Sequence, residues 1–167
     1  AALNRSVLEL GGSDPYVILA DADIASAAEL CATSRLINSG QSCIAAKRFI
    51  VVESVRKQFE EAMLVSLKKR VVGDPLDKAT DVGPQARVDL RDELHEQVKK
   101  SIAAGAVSLL GNEIPAGPGS YYPVSMLTNV TKGMPAFDEE LFGPVAAIIS
   151  AKNESDAIAL ANDSIYG

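Results

Sequence analysis

Arg48-Phe49-Ile50-Val51-Val52-Glu53-Ser54-Val55-Arg56-Lys57-Gln58-Phe59 changes its hydrophobic period halfway along. Arg48 to Val52 reads as a strand, and from about Ser54 to Arg70 the apolar residues Val55, Phe59, Ala62 and Met63 recur at helical spacing. Working back from this junction, a loop around Gly40 follows a helix that runs to about Ile37. Asp21 and Asp23 are its candidate N-caps, and Ile24, Ala27, Ala28 and Cys31 share one face. Further back, Ser6 to Leu10 and Tyr16 to Ala20 read as two strands around Gly11-Gly12 and Pro15. Working forward, Leu90, Leu94, Val98 and Ile102 form an i, i+4 stripe that stops at Gly105. Strands are expected at Val107 to Leu110, around Tyr122 to Leu127, and at Val145 to Ile149, with a helix from Ser155 to Asn162. Such alternation predicts an α/β fold with a largely parallel sheet flanked by helices.

With 167 residues, 47% hydrophobic and 23% charged, the chain has the composition of one globular domain. A domain of that length buries roughly 70% of the surface of its unfolded form. The net charge of -6 argues against nucleic acid as a partner, because phosphate contacts need clustered Lys and Arg. The one basic cluster, Lys68-Lys69-Arg70, complements the C-terminal end of a helix. No apolar run approaches the roughly 20 residues that cross a bilayer, so no membrane is expected as a partner. Two cysteines make neither a disulfide framework nor a CxxC metal site, which fits a reducing, cytoplasmic setting and no metal. No GxGxxG or GxxxxGK[ST] loop occurs, so a complete nucleotide-binding unit is not announced. Ala1-Ala2-Leu3-Asn4-Arg5 and Ile165-Tyr166-Gly167 read as cut ends rather than finished ones.

Three places have chemistry to offer. Cys43, in Gly40-Gln41-Ser42-Cys43, sits in a loop between a helix and a strand, where a thiol and a backbone N–H can face one cleft. Taken alone it reads more readily as a buried, inert thiol, since free Cys is among the most buried residue types. Glu9 lies inside the apolar run Val7-Leu8-Glu9-Leu10. It is either a partly desolvated carboxylate suited to general-base work or an edge-strand Glu facing water. Glu139-Glu140-Leu141-Phe142-Gly143-Pro144 sets two acids and an aromatic before a strand, which alone reads as an acidic helix end with Phe142 in the core. His95, the only histidine, falls one position off its helix's apolar stripe and is expected to face solvent.

Together these segments resemble the NAD(P)-dependent aldehyde dehydrogenase superfamily. Leu8-Glu9-Leu10-Gly11-Gly12-Ser13-Asp14-Pro15 is similar to its glutamate motif, and Gly40-Gln41-Ser42-Cys43 with Arg48 is similar to its cysteine motif. The 34-residue interval from Glu9 to Cys43 and the segment Glu139 to Val145 also match the family pattern. The resemblance implies that Cys43 is the nucleophile, its backbone N–H holding part of the oxyanion. It implies that Glu9 activates the water that hydrolyses the thioester, and that Glu140 holds the nicotinamide ribose with Phe142 packed near the ring. The cofactor is then NAD or NADP and the partner a small-molecule aldehyde, with the parent enzyme a homo-oligomer.

The same resemblance implies that residues 1–167 are part of a catalytic domain, the dinucleotide-binding domain being absent from this chain. A lysine for the adenosine ribose and an asparagine that completes the oxyanion hole would lie outside it, so the isolated chain is expected to be inactive. Within the superfamily the run Cys43 to Phe49 and the stretch Arg87 to His95 are most similar to bacterial succinate-semialdehyde dehydrogenases. Several of those carry an arginine six residues before the cysteine, where this chain has Ile37. No Cys31–Cys43 disulfide is expected. Two competing readings are a non-catalytic remnant acting as a binding or assembly module, and a cysteine hydrolase that uses His95.

Overall fold

The computed structural model describes residues 3–166. Five strands form one sheet: β1 (Pro15–Ile18), β2 (Arg48–Val52), β3 (Val107–Leu110), β4 (Ser125–Thr128) and β5 (Val145–Ala151), in the order β1-β2-β5-β4-β3. The β1–β2, β2–β5 and β5–β4 pairs are parallel, and only β3 runs antiparallel, against β4. Among the described residues five α-helices accompany it: α1 (Ile24–Arg35), α2 (Glu53–Lys68), α3 (Val88–Ala103), α4 (Pro135–Asp138) and α5 (Glu154–Asn162). This is the α/β, mostly parallel architecture that the alternation predicts.

Every residue of β2 is buried, because successive side chains of a strand point to opposite faces and both faces here are covered. Phe49 and Val51 join a core with Ile24, Ala28 and Cys31 of α1 and Phe59, Met63 and Leu67 of α2. Ile50 and Val52 join the opposite core with Leu94 and Val98 of α3, Phe137 of α4 and Ala157 of α5. Each fully buried aliphatic or aromatic side chain stabilises the fold by roughly 1.5–3 kcal/mol, so the two helix layers hold the sheet from both sides.

Helix α1 begins at Asp23, whose Oδ1 accepts the Ser26 N–H at 3.1 Å; Asp21 is not the cap. Helix α5 begins in the same way at Asn153, which accepts from the Asp156 N–H at 3.0 Å. In α3 only part of the predicted stripe is buried: Leu94 and Val98 are, Ile102 is 37% exposed, and Ser101 is buried in the helix's last turn.

One predicted strand does not form. Ser6 to Leu10 has no regular structure, and Val7, Leu8 and Leu10 are exposed. β1 forms the sheet edge and pairs only with β2, and this run is not paired along its free side. The strand expected at Tyr122 to Leu127 starts later, at Ser125, where its N–H donates to the Pro144 carbonyl at 2.8 Å. The single-turn helix α4, seeded by Pro135 at its first turn, was not expected from the sequence.

Candidate active site

The thiol loop hangs from the end of α1. After Leu36 the backbone makes one tight turn over Ile37–Gly40 in which Asn38 and Ser39 adopt left-handed φ values of 51° and 57°. Ser39 Oγ accepts the Gly83 N–H at 2.9 Å, and Gln41 Oε1 accepts the Ala86 N–H at 2.8 Å, so the turn is tied to the 83–86 segment. Gly40, at φ 77°, packs so closely on the Gly143 carbonyl that a Cβ would lie 2.2 Å from its oxygen. The cysteine motif and the Phe142-Gly143-Pro144 segment are thus in direct backbone contact.

A similar approach joins the glutamate motif to the acidic segment. Gly11, at φ 80°, leaves room for Glu140 Oε2, which would lie 2.6 Å from a Cβ there. Gly12 lies against the Cys43 carbonyl. Three stretches far apart in sequence therefore meet at one place. A cavity of about 590 Å³ is lined by Glu9, Cys43, Glu140 and Phe142, with Gln41 from the thiol loop and Leu94 and Gln97 from α3 as further wall. A second cavity, of about 460 Å³, lies on the other side of Cys43 beside Gly12, Ile44, Asn162 and Tyr166. Cys43 stands half-buried between the two.

The candidate residues differ in how they are held. Glu9 lines the first cavity but is exposed, which agrees with the water-facing alternative rather than the desolvated one, although it belongs to no strand. Phe142 is 40% exposed and faces the cavity, rather than serving the core as its isolated pattern suggested. Glu140 is 16% exposed, with Oε1 3.1 Å from the Lys47 ammonium. His95 is half-buried, not solvent-facing: its Nδ1 lies 3.2 Å from the hydroxyl of the buried Tyr122, and it lines neither cavity beside Cys43. Cys31 is a core residue, and burial pushes its thiol up to about 12; both cysteines are free.

Of the buried cations around the loop, Arg48 belongs to the cysteine motif, whereas Arg35 and Lys47 carry no signal of their own in it. Arg35, fully buried, donates from Nη2 to the Gly40 carbonyl at 2.6 Å, and desolvation lowers it to about 10 against the opposing pull of Glu140. Lys47, 1% exposed, is likewise lowered by desolvation, with the Glu140 carboxylate working the other way. Arg48 donates from Nε to the Ser13 carbonyl, and from Nη1 and Nη2 to the Leu160 and Ala161 carbonyls at the end of α5, each at 3.0 Å. The available signal was Lys47-Arg48 set between Ala45-Ala46 and an apolar strand, where exposed cations would be out of place. Among the described residues no cluster of His, Cys, Asp and Glu could hold a metal ion, and no helix is long and apolar enough to cross a membrane.

The chain is similar in sequence and fold to known proteins. The chain is 52% identical over 167 residues to the succinate semialdehyde dehydrogenase (NAD(P)+) Sad of Escherichia coli strain K12, covering 100% of this chain and 36% of the relative. It is 45% identical over 165 residues to the succinate-semialdehyde dehydrogenase (NADP(+)) of Mycobacterium avium strain 104, covering 99% and 35%. The chain thus spans about a third of the length of these relatives. Among solved structures, lactaldehyde dehydrogenase from Escherichia coli superimposes with a TM-score of 0.92 at 33% identity, over 95% of this chain and 34% of that one. Betaine aldehyde dehydrogenase from Staphylococcus aureus, in complex with NAD+, gives 0.90 at 33% identity over 95% and 32%. The model of the aldehyde dehydrogenase family matches residues 1–167, and the chain belongs to that family.

Proposed function

We propose that the protein of which this chain forms part oxidises an aldehyde to the carboxylic acid with NAD(P)+. One observation carries the reading: Glu9, Cys43, Glu140 and Phe142, drawn from three separate stretches of sequence, line a single cavity. In this reading the Cys43 sulfur bonds to the aldehyde carbon while its backbone N–H steadies the oxygen that gains charge. When bound, NAD(P)+ supplies the hydride acceptor. Glu9 then takes a proton from the water that attacks the thioester, and the Cys43 thiolate leaves as the acid forms.

The residues present suit the nicotinamide-ribose end of such a cofactor. Glu140 lines the cavity with Oε1 paired to Lys47 and Oε2 at the glycine cradle of Gly11, so Oε2 is the oxygen with acceptor capacity for ribose hydroxyls. Phe142 offers an exposed apolar face beside it. The relatives' names favour NAD(P)+ and succinate semialdehyde. We further infer that this chain supplies the nucleophile and water-activating carboxylate, the dinucleotide-binding domain being separate from it, and that the 167-residue chain alone makes no NAD(P)H.

The wall of the cavity qualifies the substrate. It carries the carboxylates of Glu9, Glu93 and Glu140 and, among the described residues, no Lys or Arg. Ile37, six residues before Cys43, is 45% exposed and lines neither cavity. Among the described residues this wall therefore offers a substrate carboxylate no cation to pair with.

The test is aldehyde protection of Cys43 from iodoacetamide, read by mass spectrometry, since a thiol adds to an aldehyde without cofactor. Butanal is expected to protect Cys43 of the isolated chain at least as well as succinate semialdehyde does. Alkylation at an unchanged rate at every aldehyde concentration would sink the proposal, leaving the non-catalytic module in its place.

A further inference from the structure

Lys47 has no part in the chemistry described so far, yet its single ammonium nitrogen donates to three carbonyls of the thiol loop. Nζ donates to the carbonyls of Ser42 at 3.0 Å, Cys43 at 2.9 Å and Ala45 at 3.2 Å. Glu140 Oε1 stands 3.1 Å away as a fourth neighbour. An ammonium has three N–H groups, and all three are spent on the carbonyls. The Glu140 contact is therefore an ion pair rather than a directed hydrogen bond, in keeping with an Oε1 that takes none. Lys47 itself lines neither cavity, which places it at the back of the loop.

The consequence follows from the geometry of the peptide. In a trans peptide the C=O and the next N–H point in opposite directions, and no cis peptide occurs among the described residues. With the Ser42 carbonyl held on Lys47, the Cys43 N–H is turned away from the ammonium. With the Cys43 carbonyl held there as well, the Ile44 N–H is turned the same way. Among the described residues no acceptor takes the Cys43 N–H, so it is left free for a ligand oxygen.

We infer that Lys47 is a positioning residue: by gathering the Ser42, Cys43 and Ala45 carbonyls it aims the Cys43 N–H at the aldehyde oxygen, and by pairing with Glu140 it fixes the ribose-binding carboxylate to the same loop. The inference rests on the aldehyde reading for its ligand, but not for its geometry. Neither the nucleophile nor the ribose contact is contributed by Lys47; it sets the distance and orientation between them.

The experiment uses the full 167-residue chain with Lys47→Arg and Lys47→Met, and two readouts. The first is the butanal concentration that halves the iodoacetamide rate at Cys43. Both variants are expected to raise it roughly tenfold, the equivalent of one hydrogen bond to a developing charge, with the rate in the absence of aldehyde changed much less. Lys47→Arg retains the charge but spreads its donors over a planar fork that cannot direct three N–H groups from one atom. It therefore separates aim from charge, and covers the case in which Lys47→Met fails to fold. A Lys47→Arg chain protected at the unsubstituted chain's concentration overturns the inference. The second readout needs no aldehyde: the amide nitrogen resonances of Cys43, Ile44 and Ala46, which follow the three bound carbonyls, are expected to move together in Lys47→Arg. If they stay in place the inference fails, whatever becomes of the aldehyde reading. If they move while butanal protects no form of the chain, the aldehyde reading fails and the loop-orienting role stands.

Discussion

Cys31 and Cys43 carry the same functional group and sit on either side of one helix end, yet their surroundings share almost nothing. Cys31 projects from α1 into a core of Ile24, Phe49, Phe59 and Met63, where burial disfavours the thiolate. Cys43 projects from a loop whose carbonyls face a buried ammonium and whose side chain opens between two cavities. The difference teaches that the accessibility of a thiol here is a property of backbone placement. Helical spacing delivers one thiol to the interior, and a turn forced left-handed at Asn38 and Ser39 delivers the other to a cleft.

The contrast is broken most directly by chemistry. Because Cys31 is reached only when the core opens, iodoacetamide should modify Cys43 at least roughly a thousandfold faster in the native chain, as peptide mass spectrometry would show. Comparable rates would mean that α1 does not hold its core. A second break attacks the turn. Gly40→Ala places a Cβ against the Gly143 backbone at a left-handed position and should cost about 3 kcal/mol in urea unfolding, with the Cys43 rate advantage shrinking as well.

The third sharpens the Cys31 side through pH. A thiol whose value is raised in the fold, from 9.0 to about 12, contributes stability that is complete below the unfolded value and lost as pH rises towards the folded one. Between about pH 8 and 10.5 the unsubstituted chain should therefore lose about 2 kcal/mol that Cys31→Ala does not lose, measured by unfolding at both pH values. The smallest effect belongs to Glu9. Exposed and outside the sheet, it should tolerate Glu9→Gln with a stability change within about 0.5 kcal/mol; a larger loss would show that the segment is anchored more firmly than its exposure indicates.

The sheet and its helices were legible because their signals are local. Phe49 to Val52 reads as a strand from its apolar run, and Asp23 announces α1 because a carboxylate can reach the Ser26 N–H three residues on. Ser6 to Leu10 has an equally good local pattern and forms no strand, since pairing depends on a neighbour that no pattern within the segment can report. The four site residues were reached through family motifs rather than periodicity, and Cys43 by itself favoured an inert reading. Lys47 and Arg35 were missed for a different reason. A long cation is normally at the surface, and only the folded chain shows which carbonyls converge to keep one inside.

Arg48 gives the order of events a direction. Its acceptors include the Ser13 carbonyl, 35 residues earlier, and the Leu160 and Ala161 carbonyls, 112 and 113 residues later. During synthesis from the ribosome the thiol loop and β2 emerge long before α5 exists, and until α5 arrives a cation destined for the interior lacks the carbonyls of Leu160, Ala161 and Asp163. Contacts of such long sequence separation are slow to close, because chain entropy is lost before they form. The Cys43 loop is thus made early and seated late, with the apolar strand beside it unburied in the interval.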